Sequence, residues 1–246
     1  MADNKKPQFE KGNTPVGIAV YPWLNRADTK HKAEGVYKTN LILGAEETVD
    51  LRAKLDAAAQ KAYDDAVEAL KKEPKKKPKL LKLQATTPFT GYKDQIDEAT
   101  GDPTGNFDFG FKMNAKVTAK VGPKAGQTFD LKPVFFDAKG SAIKGKVPAI
   151  YGGSKLRVSF EIVPFYNASA DCAGVTLRMS AIKIIELAAG RGADAAQHGF
   201  GGDEGDYVAD QKDDAGDFGD GDGDGEGEGD GGPSNQDRAD GDASKF

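Results

Sequence analysis

Sixteen consecutive residues, from Asn106 to Val121, alternate between apolar and polar side chains without a break. The apolar positions are Phe107, Phe109, Phe111, Met113, Ala115, Val117, Ala119 and Val121. Successive side chains of a β-strand point to opposite faces, so the pattern predicts a strand with one face in a core and the other in solvent. The solvated face carries Lys112, Lys116 and Lys120. Because sixteen residues exceed the usual strand length, we expect a bend near Gly110.

Shorter segments predict the rest of a sheet. They are Val16–Tyr21, Gly35–Leu43, Thr128–Asp137, Lys155–Pro164 and Ala173–Leu187, the last with a register change near Ala181. Pro22 is expected to end the first strand and to begin a polar loop over residues 23–34. Leucines and alanines at spacings of three and four predict one helix over residues 46–72, with Thr48 as its cap. The basic segment at residues 72–79 is expected to be an extended loop. Together these elements favour a mainly β protein, a small antiparallel barrel with one inserted α-helix.

Charge divides the chain into two parts. Residues 203–246 contain 16 acidic and three basic residues, a net charge of −13, whereas residues 1–202 contain 31 basic and 23 acidic residues, a net charge of +8. This asymmetry favours a nucleic-acid-binding body with an interaction tail, the alternative being a solubilising tail on an ordinary domain. Gly and Asp dominate after residue 190, so we expect a disordered acidic tail at residues 190–246. A flexible basic arm is expected at residues 1–14 and one folded domain at residues 15–189.

Motifs for catalysis, metal binding and membrane insertion are weak. The Gly/Asp run fits an EF-hand loop from Asp220 to Gly225, but the twelfth position is Gly231 rather than Glu. Residues 152–154 lack the spacing of a phosphate loop and are typical of a turn. One cysteine and two histidines predict neither a disulfide nor a structural zinc site. We expect no enzyme activity, cofactor or metal. With no signal peptide and no apolar run of about 18 residues, we also expect a soluble intracellular protein without membrane contact.

The positive prediction is a surface for single-stranded nucleic acid, which needs cations for the phosphates and aromatic rings for the bases. Aromatic candidates at predicted strand ends and in loops are Tyr21, Trp23, Tyr37, Phe165 and Tyr166. The predicted DNA-binding set is Trp23, Lys30, Lys32, Lys38, Lys112, Lys116, Lys155, Arg157, Phe165 and Tyr166. The alternative is that aromatic residues belong to the core, which we prefer for Phe107, Phe109, Phe111 and Phe160.

Four pieces of the sequence, taken together, carry a family resemblance. They are GVYK at Gly35–Lys38, KAYDDAVEAL at Lys61–Leu70, GGSKLRVSFEIVPFY at Gly152–Tyr166 and the acidic tail that ends in Phe246. In order and spacing they resemble the single-stranded DNA-binding proteins of T7-like bacteriophages. The resemblance implies an OB-fold barrel with an inserted helix, a homodimer, and a DNA groove that includes Lys112, Lys155, Arg157 and Phe165. Where the family has a Tyr and a nearby Trp, this chain has Phe165, Tyr166 and Asn167, which leaves the second stacking partner open.

The resemblance also implies a role. Such a protein would coat and protect single strands during phage DNA replication, recombination and repair, in the cytoplasm of the infected bacterial host. The tail is expected to compete with DNA for the groove, because a flexible tether gives a high effective concentration. When released, it would recruit the phage DNA polymerase and helicase-primase through Asp240, Asp242 and Phe246. Two alternatives stay open: an acidic nucleic-acid mimic or chaperone that binds basic proteins, and an RNA-binding OB module.

Overall fold

The computed structural model describes residues 8–119 and 122–188. Its strands are β1 (Glu10–Asn13), β2 (Gly17–Asp28), β3 (Val36–Leu43), β4 (Tyr92–Ile96), β5 (Pro103–Asn114), β6 (Lys116–Thr118), β7 (Thr128–Asp130), β8 (Val134–Phe136), β9 (Lys155–Asn167) and β10 (Cys172–Glu186). Its helices are α1 (Val49–Lys71) and α2 (Lys77–Gln84), each preceded by a short 3-10 turn. The predicted tail, with Asp240, Asp242 and Phe246, lies outside the described residues.

Five strands close into a ring. β2 pairs with β3, β3 with β5, β5 with β10, β10 with β9, and β9 again with β2. All of these pairings are antiparallel except the parallel one between β5 and β10. A closed five-stranded ring whose fourth and fifth strands are exchanged in spatial order is the Greek-key arrangement of an OB fold. The OB-like barrel predicted from the sequence is confirmed.

The inward faces of the ring form the core. Phe109, Phe111 and Phe160 are fully buried there, as the sequence predicts, and Phe107 packs half-buried at the margin. Helix α1 contacts β9 and β10 through small and apolar residues at spacings of three and four. Its buried residues are Leu55, Ala59, Ala62, Ala66, Val67 and Leu70. Thr48 does not cap this helix, because its hydroxyl donates to the Gly44 carbonyl at 2.7 Å.

Two predictions near the N-terminus are wrong. The sequence predicts a flexible arm over residues 1–14, of which residues 1–7 lie outside the described residues, yet Glu10–Asn13 form β1 and pair with β9. Pro22 does not end β2, which continues to Asp28. The ladder to β3 is irregular between Val20 and Trp23, and Tyr21 there has a positive φ of 48°. A proline in this break removes no regular ladder hydrogen bond, so the strand tolerates it.

The long alternating segment also divides where the sequence does not predict it. β5 ends at Asn114, and the break falls at buried Ala115 rather than at Gly110. The Ala115 N–H donates to the Gly35 carbonyl at 2.9 Å, and its own carbonyl accepts from the Leu131 N–H at 2.7 Å. These two bonds end the barrel strand and start a separate two-stranded hairpin, β6–β7. The predicted strand over residues 128–137 is accordingly two short strands, β7 and β8.

The basic segment after α1 is not an extended loop. It forms the 3-10 turn Pro74–Lys76 and then α2, with Pro78 in the first turn, where a missing N–H breaks no helical bond. Leu83 of α2 is fully buried, and its carbonyl accepts a hydrogen bond from the Tyr63 hydroxyl at 3.0 Å. This contact joins the two helices. Neither helix, within residues 8–119 and 122–188, has the length and apolar character that crossing a membrane requires.

Candidate nucleic-acid interface

One row of side chains crosses the outer face of the barrel. The strand registers pair Trp23 of β2 with Lys38 of β3, Lys38 with Lys112 of β5, and Lys112 with Arg178 of β10. Directly paired residues share a face of the sheet. Four strands therefore present one aromatic ring and three cations in line. Trp23 lies in a strand rather than in the predicted loop, with the guanidinium of Arg26 5.1 Å from its ring centre.

A cleft of about 410 Å³ opens along this row. Its lining residues are Lys38, Asn40, Phe89, Gly91, Tyr92, Lys93, Asp108, Gly110, Phe111, Lys112 and Thr176. Three lysines face one carboxylate there, and that carboxylate, on Asp108, accepts a hydrogen bond from Asn40 at 3.0 Å and pairs with Lys93 at 3.5 Å. OB folds bind oligonucleotides on the face of their second and third strands, which here are β3 and β5. The cleft occupies that face.

An exposed aromatic ring, Phe89, stands at one side of the cleft. Its side chain is 52% exposed, yet its backbone is held on both sides by β10. The Phe89 N–H donates to Ala173 at 2.9 Å, and its carbonyl accepts from Val175 at 2.8 Å. The ring meets Phe165 edge-on, with centroids 5.8 Å apart. Gly174 lies between the two phenylalanines, bridged to Phe89 and paired with Phe165, and it makes this close approach possible.

Lys38 is held in place by a carboxylate. Its ammonium lies 2.5 Å from Asp28, whose other hydrogen bond comes from the backbone N–H of Lys30 at 2.9 Å. The hydrogen bond from Lys38, followed by that from Lys30, lowers the pKa of Asp28 below its usual value. Asp28 is therefore ionised at neutral pH and partly offsets the charge of Lys38.

The floor of the cleft is tied to α1 through Tyr92. Its ring stacks on Phe109 with centroids 5.2 Å apart, and its hydroxyl donates to Asp56 of α1 at 2.7 Å. Burial, and then the hydrogen bond to Asp56, raise the pKa of Tyr92 to about 12. The hydroxyl is therefore neutral and acts as a donor across the physiological range. This contact connects the helix to the binding face.

Two predicted cations lie elsewhere. Lys155 pairs with Glu186 at 2.7 Å, and the Nε of Arg157 donates to the Thr14 carbonyl at 2.9 Å. Arg157 lines a second cleft of about 340 Å³ on the β9–β10 face, together with its cross-strand partner Lys183. Lys183 follows Arg178 by five residues on β10, which is roughly 16 Å along a strand. The structure therefore divides the predicted set between two faces.

The remaining predicted residues surround the cleft or lie away from it. Lys30 and Lys32 belong to the loop between β2 and β3, and Lys32 donates to Asn114 at the end of β5 at 3.1 Å. Lys116 lies in the β6–β7 hairpin, where it is directly opposite Asp130 on the neighbouring strand. Phe165 and Tyr166 are consecutive residues of β9, so their side chains point to opposite faces and do not share one stacking site. Tyr37 is buried in the core.

Comparison with known proteins assigns the family. The family described as "Single-stranded DNA-binding protein, Bacteriophage T7" matches residues 16–187. The chain belongs to this family. The single-stranded DNA-binding protein of Enterobacteria phage T3 is 30% identical over 227 residues, which cover 88% of this chain and 87% of that protein. Its counterpart from Escherichia phage T7 is 29% identical over 177 residues, covering 71% and 67%.

The fold agrees with a solved member of the family. The crystal structure of gp2.5, a single-stranded DNA-binding protein encoded by bacteriophage T7, matches with a TM-score of 0.58 at 25% identity. The match covers 82% of this chain and 100% of that chain. The resemblance stated from the four sequence pieces is thereby confirmed.

Sequence reasoning missed four residues of this face, namely Phe89, Lys93, Gly174 and Arg178. Phe89 lies in a stretch without periodic pattern, TTPFTGY, and a lone aromatic residue among polar neighbours after a proline is the one signal that it offers. Gly174 has no signal of its own, because its importance comes from the strand that approaches it. Arg178 is one of the outward-facing residues of β10, and it lies beside Lys112 only because β10 pairs in parallel with β5.

Proposed function

We propose that the cleft between β3 and β5 is where this protein binds single-stranded DNA. Phe89 stacks on a base, and Lys38, Lys93 and Lys112 neutralise the neighbouring phosphates. One observation carries the proposal: an aromatic ring is exposed beside these lysines while its backbone is fixed by β10. Exposing a large ring to water costs free energy that folding normally avoids. A base stacked on such a ring removes the ring from water and contributes about 1–3 kcal/mol to the binding free energy.

Rigid placement adds to the value of this ring. A side chain that is already fixed loses little entropy when the ligand arrives, so more of the stacking energy appears as affinity. The edge contact with Phe165 and the two backbone bonds to β10 restrict the Phe89 segment before DNA binds. The flanking cations make the binding dependent on salt but not on sequence. Binding of this kind suits a protein that coats strands of any sequence.

Family membership and the charge division of the chain support a proposal for the wider role. The protein coats and protects single strands during phage DNA replication, recombination and repair in the host cytoplasm. The segment of net charge −13 competes with DNA for the cleft and recruits the phage DNA polymerase and helicase-primase. Asp240 and Asp242 supply charge for that contact and Phe246 an apolar anchor. A chain that lacks residues 203–246 should bind DNA more tightly at low salt and lose both partners.

The binding site is tested by Phe89→Ala against Tyr151→Ala. Tyr151 is also an exposed aromatic residue, but it does not line the cleft. Affinity for a labelled oligo(dT), measured by fluorescence anisotropy, should fall about 5- to 150-fold for Phe89→Ala, the equivalent of one stacked base. Tyr151→Ala should bind as the unchanged protein does. Equal losses in the two variants would place the stacking surface elsewhere.

A further inference from the structure

The β6–β7 hairpin leaves three apolar side chains in solvent. Val117 and Phe129 are directly paired across its two strands, and Leu131 lies two residues beyond Phe129 on the same face. They are 41%, 37% and 38% exposed, respectively. We call Val117, Phe129 and Leu131 the hairpin patch. A two-stranded hairpin that projects from a barrel gains little from packing, so exposed apolar residues grouped on it indicate a surface that a partner covers.

A cation lies beside the hairpin patch. The ammonium of Lys124 lies 5.5 Å from the centre of the Phe129 ring. Lys116 and Lys132 are the chain neighbours of Val117 and Leu131, so by strand alternation they lie on the other face of the hairpin, where Lys116 is directly opposite Asp130. A ring and methyl groups with a lysine beside them suit a polyanion with flat apolar faces, which is the chemistry of a single strand. A second copy of this chain would bring lysines against lysines, which opposes such a contact.

The hairpin patch is connected to the cleft through the end of β5. Asn114 accepts the hydrogen bond from Lys32 of the β2–β3 loop. The next residue, Ala115, bonds to Gly35 of the same loop and to Leu131 of the hairpin patch. Ala115 is three residues from Lys112, about 10 Å along an extended chain. A strand that leaves the cleft past this loop therefore meets the hairpin directly.

We infer that the hairpin patch is a second contact for single-stranded DNA and receives bases that extend beyond the cleft. The inference rests on the function proposed for the cleft and adds to it. Phe129 offers a stacking face, and Val117 and Leu131 offer apolar contact to the base beside it. Lys124, beside the Phe129 ring, neutralises a phosphate of this segment. The strand is thereby held at two places, and only an oligonucleotide long enough to reach both uses the second.

The test is the double variant Val117→Thr/Phe129→Thr, because threonine suits an exposed strand and removes the apolar contact. Oligo(dT) is titrated in a series of increasing length. We expect unchanged affinity for the shortest oligonucleotides that bind and a loss of about tenfold for the long ones, the worth of one stacked base. Leu81→Thr, at an exposed leucine on α2, is the matched control and should change the affinity for neither short nor long oligonucleotides.

A charge variant gives a second, independent readout. Lys124→Gln keeps the apolar residues and should reduce the salt slope by about 0.7 for long oligonucleotides alone, the contribution of one phosphate contact on a single strand. Equal losses at every length would overturn the inference, because the change would then act on the cleft or on folding. No loss at any length would overturn it as well, and so would a change in sedimentation without a change in DNA binding. Failure of the unchanged protein to bind any length would instead reject the cleft proposal itself.

Discussion

The barrel has two basic faces that look alike in sequence and differ in structure. On the cleft face, Lys112 has no ion-pair partner within residues 8–119 and 122–188, and Phe89 displays its ring beside it. On the β9–β10 face, Lys155 is bound to Glu186 and Arg157 to the Thr14 carbonyl. The first face has a cation free to meet a phosphate. On the second face the cations of β9 instead join that strand to neighbouring segments, although Lys183 of β10 also has no ion pair within the described residues.

The difference shows what makes a basic strand face a nucleic-acid site. Lysine at alternate positions requires only solvent, so it occurs on any outward sheet face. A binding site needs, in addition, at least one cation without a competing carboxylate and a ring that the fold holds exposed. Contacts from distant segments supply both on the cleft face, because Phe89 is anchored on β10 and Lys112 lies between β3 and β10. Single substitutions can change the anchoring of Phe89, the unpaired Lys112 and the carboxylate that restrains Lys38 one at a time.

The largest effect is expected from Gly174→Ala. An added Cβ would collide with the Phe89 carbonyl oxygen and lie 2.5 Å from its nitrogen, at a φ of 151° that side chains rarely adopt. The bridge to Phe89 must open, so the unfolding free energy should fall by about 1–3 kcal/mol. DNA affinity should fall at least as far as in Phe89→Ala. Urea denaturation and oligo(dT) titration measure the two effects.

Gly145→Ala is the control for that substitution, because nothing lies within 4 Å of its added Cβ. It should leave stability and binding nearly unchanged. Normal DNA binding by a destabilised Gly174→Ala protein would show that the anchoring of Phe89 does not matter. The anchored ring of Phe89 would then no longer explain why DNA binds the cleft face rather than the β9–β10 face.

A smaller effect should separate the lysines of the two faces. Lys112→Gln removes a free cation, so the slope of log affinity against log salt should become shallower by about 0.7, one phosphate contact on a single strand. Lys155→Gln removes a cation already paired with Glu186 and should leave the slope unchanged. Oligo(dT) titrations from low to moderate salt measure both variants. If the two slopes change equally, the β9–β10 face also carries DNA.

Much of this fold could be predicted from the sequence, because its strands alternate strongly. The burial of Phe109, Phe111 and Phe160 follows from period-two alternation. The same alternation predicts the position of β3, and a break in its phase predicts the register change in β10 between Met179 and Ala181. These features depend on neighbouring residues along one strand. A sequence pattern reports such local relations well.

The features that could not be predicted from the sequence depend on pairing between distant segments. Ala115 interrupts the alternating segment because it bonds to Gly35 and Leu131, and nothing in residues 106–121 encodes those partners. Lys112 and Lys155 are equivalent in alternation, and only the strand order places them on different faces. Phe89 is part of the site because β10 passes beside it. Site prediction therefore needed the ring topology, whereas core prediction did not.

The smallest expected effect comes from the carboxylate that restrains Lys38. Asp28→Asn keeps an acceptor for the Lys30 N–H but removes the charge paired with Lys38. Oligo(dT) affinity should rise roughly two- to fivefold at low salt, the range for one partly exposed ion pair. The gain should fade as salt screens the cleft. Glu186→Gln frees Lys155 in the same way on the other face. An equal gain there would contradict the assignment of DNA to the cleft.

Unfolding at acidic pH tests whether the hydrogen bonds from Lys38 and Lys30 stabilise the ionised form of Asp28. Its folded-state pKa lies below the ordinary value because of Lys38 and then Lys30, so it stabilises the fold fully above the unfolded pKa of about 3.9. That stabilisation disappears as the pH falls through the lower, folded-state value. Below about pH 4, the unchanged protein should therefore lose stability more steeply than Asp28→Asn when urea unfolding is followed across pH. Parallel curves for the two proteins would mean that Lys38 is not restrained in solution. The gain in DNA affinity would then need another cause, since Lys38 would already be as free as Lys112.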